Sequence, residues 1–305
     1  MARSLGLPHI MREADGTAVG QWGPYVLKTA FQPIFAFEPD GLKQRAYEGL
    51  IRPFRDGEAT SPGQFFAAIP AIDRLRVEAL ARDLHILNAG AAFGPQITLF
   101  INFDPSLFCE KPVVDTALRE MRIVLGEAGI PFSNVVCEVT EQPSDSAAAL
   151  QDFVAALRQE GYRVAVDDYG ADSSDMERVK QLRPDIVKFD AKWVARLMDS
   201  QPGVTLLKVM VGEFRQKGIV TVFEGIEENW QLDVAAEVGA SMVQGFVLAR
   251  PELAPTRFRP DPPALAPMVP PEGGGAADAR AAHHDALPVA PRRPRAPVFG
   301  RRRLT

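Results

Sequence analysis

Cysteine is nearly absent from this chain: Cys109 and Cys137 are the only two in 305 residues. They form no C-x-x-C pair, so there is no disulfide framework and no thiolate metal site to build on. Cys137 lies inside an apolar run and reads as a small buried hydrophobe. Histidine is scarce as well, with four, and none follows an apolar run, so imidazole-ligated zinc is not indicated. Long hydrophobic runs are missing: nothing approaches the roughly 20 residues needed to cross a membrane. No basic segment followed by an apolar core opens the chain, hence no secretory signal, and a cytoplasmic protein is expected. Positive charge is not in excess either. The formal net charge of -5 does not suit a nucleic-acid binder.

What is present is an ordinary globular composition, 46% hydrophobic and 24% charged, enough for one barrel-sized domain and a tail. Residues 1–25 are weakly patterned and read as a flexible lead-in. Over 26–254, short apolar runs alternate with amphipathic stretches such as Pro112–Gly129, Asp145–Glu160, Ser173–Leu182, Gly203–Lys217 and Glu228–Val238. Leu150, Phe153, Val154 and Leu157 make one apolar stripe of helical spacing. Such alternation predicts a parallel sheet, open or closed into a barrel. The strand limits within Leu42–Phe54 are indistinct. From residue 255 the character changes, with eleven of the 26 prolines, a Gly273-Gly274-Gly275 run, and nine arginines against four acids. This segment cannot bury enough apolar surface to offset its ordering entropy, and disorder is expected over 255–305. Arg292, Arg293, Arg295, Arg301, Arg302 and Arg303 suit an anionic lipid surface or RNA. They suit a solvated, solubilising tail equally well.

The informative pattern is where the polar residues fall. Ala46-Tyr47 leads to Glu48, and Thr98–Ile101 to Asn102. Val135–Cys137 leads to Glu138, with Glu141 three on. Val164–Val166 leads to Asp167 and Asp168, and Ile186-Val187 to Lys188. Val220–Phe223 leads to Glu224, with Glu227 three on, and Ser241–Val243 to Gln244. A buried parallel strand is apolar along its length, and in a β/α barrel functional groups sit where strands end. These residues would converge on one rim and supply oxygen ligands for a hard cation that activates water against a phosphate ester. Adjacent Asp167 and Asp168 repel unless cations lie between them, and such a pair can share two metals about 3.5–4 Å apart. Each residue also has a plainer reading. Asp-Asp-Tyr-Gly is good turn chemistry, Lys188 could pair with Asp190 or Asp168, and Glu224 and Glu227 suit a helix N-terminus. Arg52, four past Glu48, suits a phosphate oxygen or a solvated strand end.

Taken together, these residues resemble the EAL-domain cyclic di-GMP phosphodiesterases. Over Phe31–Pro251 the family's Q-P-I is Gln32-Pro33-Ile34, and its E-A-L-x-R is Glu48-Gly49-Leu50-Ile51-Arg52. V-N-L-S reads Ile101-Asn102-Phe103-Asp104, and E-L-T-E reads Glu138-Val139-Thr140-Glu141. D-D-F-G is Asp167-Asp168-Tyr169-Gly170, K-I-D is Lys188-Phe189-Asp190, E-G-V-E is Glu224-Gly225-Ile226-Glu227, and Q-G-Y is Gln244-Gly245-Phe246. The resemblance implies an α/β fold, a TIM-like barrel with one antiparallel strand. It implies hydrolysis of cyclic di-GMP to linear pGpG at a two-metal site of Mg²⁺ or Mn²⁺. Glu48, Asn102, Glu138, Asp167 and Asp168 would be metal ligands, with Asp167 bridging. Lys188 and Glu224 would assist the water and the second metal, and Glu141 would hold the loop after the aspartate pair. Gln32 and Arg52 would contact substrate, while Glu227 and Gln244 would complete the site. A homodimer is also implied.

Three departures stand out. Gly49 replaces the motif alanine, Ala171–Asp175 replaces T-G-Y-S-S, and Ala67–Pro70 replaces P-L-A-E. The loop change bears on turnover and on dimerisation. Together with the substitution at Gly49 it motivates a second expectation, a degenerate domain that binds cyclic di-GMP or a protein partner without hydrolysis. Under the first, Asp168→Asn or Lys188→Ala would abolish hydrolysis without unfolding the domain. Too few residues precede Phe31 for a sensor domain, so regulation would come through expression, oligomerisation, the tail or a partner.

Overall fold

The computed structural model describes residues 9–139, 147–171 and 175–259. Eight strands close a barrel: β1 (Tyr25–Glu38), β2 (Gly41–Arg55), β3 (Thr98–Phe103), β4 (Val135–Val139), β5 (Arg163–Tyr169), β6 (Ile186–Phe189), β7 (Val220–Phe223) and β8 (Met242–Val243). From β2 to β8 every neighbouring pair is parallel. Strand β1 closes the ring, antiparallel to both β2 and β8. This is the barrel with one antiparallel strand that the resemblance implied. Helices α1 (Pro62–Ala68), α2 (Arg74–Phe93), α3 (Lys111–Ala128), α4 (Ala147–Gln159), α5 (Asp175–Leu182), α6 (Ala191–Met198), α7 (Gln201–Gln216) and α8 (Asn229–Val238) connect the strands. None of them is long and apolar enough to cross a membrane.

Side chains of a strand alternate between its two faces, so every barrel strand serves two environments. Ile34, Ala46, Phe100, Val136, Ala165, Ile186, Val222 and Met242 form one buried cluster that fills the lumen. Their outward neighbours, such as Tyr47, Ile101, Cys137 and Val166, pack in a separate cluster with α2, α3 and α4. Phe189, Phe223 and Val243 do the same with α6, α7 and α8. Both faces are apolar, which is why these strands carry no amphipathic signature.

The structure corrects the sequence reading at both ends of the domain. Within the lead-in, Ile10–Arg12 and Ala18–Trp22 are strands that extend the sheet beside β1. Ala18 is fully buried, and Asn88 of α2 holds it by accepting from its N–H at 2.8 Å and donating to its carbonyl at 2.9 Å. The first strand is only three residues long, and Gly20 interrupts the alternation that would have marked the second. Residues 1–8 lie outside the described residues, as do 260–305 of the tail.

Residues 255–259, placed in the tail by composition, belong to the fold. Thr256 is buried and donates to Glu252, whose carboxylate also accepts from the Arg257 N–H. The Phe258 ring sits 6.0 Å from that of Tyr47, the residue before Glu48. Truncation after Ala254 is therefore expected to cost about 1–2 kcal/mol relative to truncation after Arg259. Thermal melts of the two truncated proteins would show a difference of several degrees, and identical melting temperatures would refute the assignment.

Candidate active site

One polar side chain per barrel strand occupies the inward position at the same end of the lumen. It is Gln32 on β1, Glu48 on β2, Asn102 on β3, Glu138 on β4, Asp167 on β5, Lys188 on β6, Glu224 after β7 and Gln244 after β8. On β2 to β8 each lies two residues beyond the lumen-filling residue of its strand, on the same face. The apolar plug thus ends in a polar layer.

Two local distortions place these groups. Glu48 does not end its strand. The barrel pairing of β2 with β3 covers only Ala46–Glu48, while the hairpin with β1 runs on to Arg55. Arg52 is thereby carried above the rim. On β5 the register with β6 shifts between Val166 and Tyr169, and Asp168 lies in the left-handed region at φ 55. A bulge of this kind re-aims side chains. Here it lets two consecutive aspartates serve one site, with Asp167 buried in the barrel and Asp168 on the rim. Gly170 then turns at φ 103, where a Cβ would stand 2.3 Å from the Trp193 ring.

Lys188 is the hub. Its Nζ lies 2.6 Å from Glu138, 2.6 Å from Glu224, 3.3 Å from Asp167 and 3.5 Å from Glu48, with 1% of the side chain exposed. Burial opposes its charge, but Asp167, Glu138, Glu224 and Glu48 together raise its pKa well above the ordinary value. Glu48 is held on both oxygens, by the Gln244 amide at 2.8 Å and the Asn102 amide at 3.4 Å. Burial pushes the carboxyl of Glu138 up strongly, offset by Lys188 and reinforced by Glu48 and Asp167. Burial likewise raises Glu224 to about 8. Asp168 rises to about 6 through desolvation and the adjacent Asp167 charge.

Five carboxylates therefore face one ammonium, a balance that calls for further positive charge. Carboxylate oxygens of Asp167, Asp168 and Glu224 lie within 4.8 Å of one another. Oε2 of Glu138 and Oε1 of Gln244 are buried with no hydrogen-bond donor among the described residues. All-oxygen donors, surplus negative charge and orphaned acceptors fit a hard divalent cation.

Two cavities flank the acids. Gln32, Glu48, Asp167, Lys188, Glu224, Glu227 and Gln244 reach one of 230 Å³. Arg52, Asn102 and Asp168 reach another of 620 Å³. Glu138 is wholly buried and lines neither, and Glu141 falls outside the described residues. Sequence reasoning missed Phe246, 45% exposed on the smaller cavity with the Arg250 guanidinium 4.5 Å from its ring centroid. It also missed the wall that Glu78, Arg82 and His85 of α2 give the larger cavity.

The EAL domain profile matches residues 26–251. The chain belongs to the EAL domain family. YkuI of Bacillus subtilis, an uncharacterized EAL-domain protein, is 30% identical over 230 residues, covering 72% of this chain and 54% of YkuI. RocR of Pseudomonas aeruginosa, a cyclic di-GMP phosphodiesterase, is 28% identical over 182 residues, covering 59% and 45%. The EAL chain thus spans about half the length of these curated relatives. Klebsiella pneumoniae BlrP1 in a manganese and cyclic di-GMP complex superposes with a TM-score of 0.66 at 30% identity, covering 76% of this chain and 57% of BlrP1. YkuI with cyclic di-GMP and calcium gives 0.64 at 28%, covering 74% and 56%.

Proposed function

We propose that this EAL domain hydrolyses cyclic di-GMP to linear pGpG with a pair of divalent cations, Mg²⁺ or Mn²⁺. The observation that carries the reading is the polar layer itself: eight strands each deliver one polar side chain to one end, and four acids there surround a single lysine with Asp168 close by. Relatives that are named cyclic di-GMP phosphodiesterases support it, as does the manganese and cyclic di-GMP complex of BlrP1.

Glu48, Asn102, Glu138, Asp167 and Asp168 would hold the cations. When bound, these ions supply a water of lowered pKa and offset charge on the phosphoryl oxygens. Lys188 fixes Glu138, Glu224, Asp167 and Glu48 around itself and keeps mutually repelling acids in one arrangement. Glu224, whose carboxyl is pushed up by burial, is suited to exchange a proton near neutral pH. Arg52 offers its guanidinium to a phosphate oxygen, and Gln32, Glu227 and Gln244 line the same rim. Glu141 would steady the loop after the aspartates.

The purified protein is expected to convert cyclic di-GMP to linear pGpG with Mg²⁺ or Mn²⁺ and to stop in chelator, with products resolved by chromatography. Saturable binding without a linear product would favour a receptor. The departure at Ala171–Asp175, of which Asp172–Ser174 lie outside the described residues, would then be its origin.

A further inference from the structure

Helix α2 lays His85 directly across Gly49, the position at which this chain departs from the family's motif. A Cβ on Gly49 would stand 2.8 Å from His85 Cγ and 2.9 Å from His85 Cβ, closer than carbon atoms pack. Those are the root atoms of the side chain, so the ring cannot swing aside to admit a methyl. It is tied at its other edge as well, where Nδ1 lies 3.0 Å from Thr29 Oγ1. The missing methyl and the imidazole therefore occupy the same space, and the departure at Gly49 is what admits His85.

The hydrogen bonds behind the ring fix which nitrogen carries its proton. The Asn88 amide nitrogen donates to the Ala18 carbonyl at 2.9 Å and to Thr29 Oγ1 at 3.2 Å, which uses both of its hydrogens. Thr29 Oγ1 accepts one of these, and His85 Nδ1 is the only acceptor that the described residues offer its own hydrogen. Burial, with Arg52 and Arg82 nearby, lowers the imidazole pKa to about 3, so the ring is neutral and its hydrogen is on Nε2. Nε2 takes no partner among the described residues, yet it is not among the enclosed polar atoms. His85 forms part of the wall of the 620 Å³ cavity, with Arg52, Asn102 and Asp168.

We propose that His85 is a ligand-contacting residue, presenting a fixed, uncharged Nε2–H beside Arg52, on the wall of the larger cavity, to an acceptor atom of the nucleotide. The inference rests on the cyclic di-GMP reading and adds to it a determinant on α2, outside every motif strand. A neutral donor locked in one tautomer favours an acceptor at that point and leaves a buried mismatch against a donor. It also turns the departure at Gly49 from a sign of decay into one half of an exchange.

The test uses the full chain, with cyclic di-GMP titrated by calorimetry in Ca²⁺ and turned over in Mn²⁺. His85→Phe fills the space without the donor and is expected to weaken binding about tenfold and raise KM, with kcat changed less than about twofold. His85→Gln keeps a donor and is expected to recover part of the loss. Gly49→Ala is expected to lower the melting temperature in the wild-type background and to cost little in the His85→Ala background, a coupling that a thermal-melt cycle reads without ligand. Unchanged affinity in His85→Phe would overturn the ligand contact, and a neutral Gly49→Ala would overturn the exchange. A wild-type protein that binds no cyclic di-GMP would remove the functional reading and the contact with it, while the melt cycle would still decide the exchange.

Discussion

Replacing Lys188 with methionine is expected to abolish hydrolysis and, in chelator, to destabilise the domain by about 3–5 kcal/mol. The sequence alone suggests that this lysine can be removed without unfolding. Its burial changes that expectation. Nζ is the only cation in ion-pair contact with Glu48, Glu138, Asp167 and Glu224 among the described residues, and Glu138 is wholly enclosed. Without it, the acids must stay charged against one another or take up protons, and either route favours the unfolded chain. A divalent cation offers the missing positive charge. Mn²⁺ is therefore expected to raise the melting temperature of Lys188→Met more than that of wild type. Calorimetry in chelator and in Mn²⁺ reads both effects. A variant that melts with wild type in chelator would show that the lysine does not hold the acids together.

Asp168→Asn is expected to lower kcat by about 10²–10⁴ while leaving the fold intact. Three observations favour a clean result. Asp168 sits on the rim rather than in the lumen. Its backbone occupies the left-handed region at φ 55, where asparagine is among the best-tolerated residues. Its ionised form is disfavoured in the apo protein, because desolvation and Asp167 raise its pKa to about 6. The sign of the last effect is definite. A raised folded-state pKa contributes stability below the unfolded value near 3.8, and that contribution is lost as pH rises through about 6. In chelator, Asp168→Asn should match wild type at pH 4 and melt at or above it at pH 8. Retained turnover in this variant would remove Asp168 from the site. A lower melting temperature at pH 8 would mean that its charge is stabilising after all.

Much of this was legible in the residues, for a definite reason. A buried parallel strand is apolar until its last inward position, so the polar residue that ends each run marks both a strand end and a site. The seven apolar runs, each with its polar end, therefore marked strands, rim and chemistry at once. The same logic explains the failures. Alternation of strands and helices does not distinguish an open sheet from a closed one, and closure depends on a long hairpin, β1 and β2, whose inner end is apolar and whose outer end is not. Helix α2 shows no stripe because it buries Arg82, His85 and Asn88 along with Val77, Leu80 and Leu84. A helix with polar residues on its packed face looks patternless, and it was the helix that carried the cavity wall. Glycine at position 49 looked like a loss because the ring that replaces the methyl comes from 36 residues away in sequence.

The closure of the barrel by its first strand also bears on how the molecule comes into being. Ala36 pairs with Met242, Phe31 with Glu252, and the Glu48 carboxylate with the Gln244 amide. Each contact joins the opening of the domain to its final stretch. On a ribosome, where synthesis runs from the N-terminus at about 5–20 residues per second, six parallel strands exist before their ring can be shut. During that interval the β7 edge is unpaired and the acids stand open to water. The polar layer is therefore the last part of the barrel to be completed, because Gln244 reaches Glu48 only once the final strand is in place.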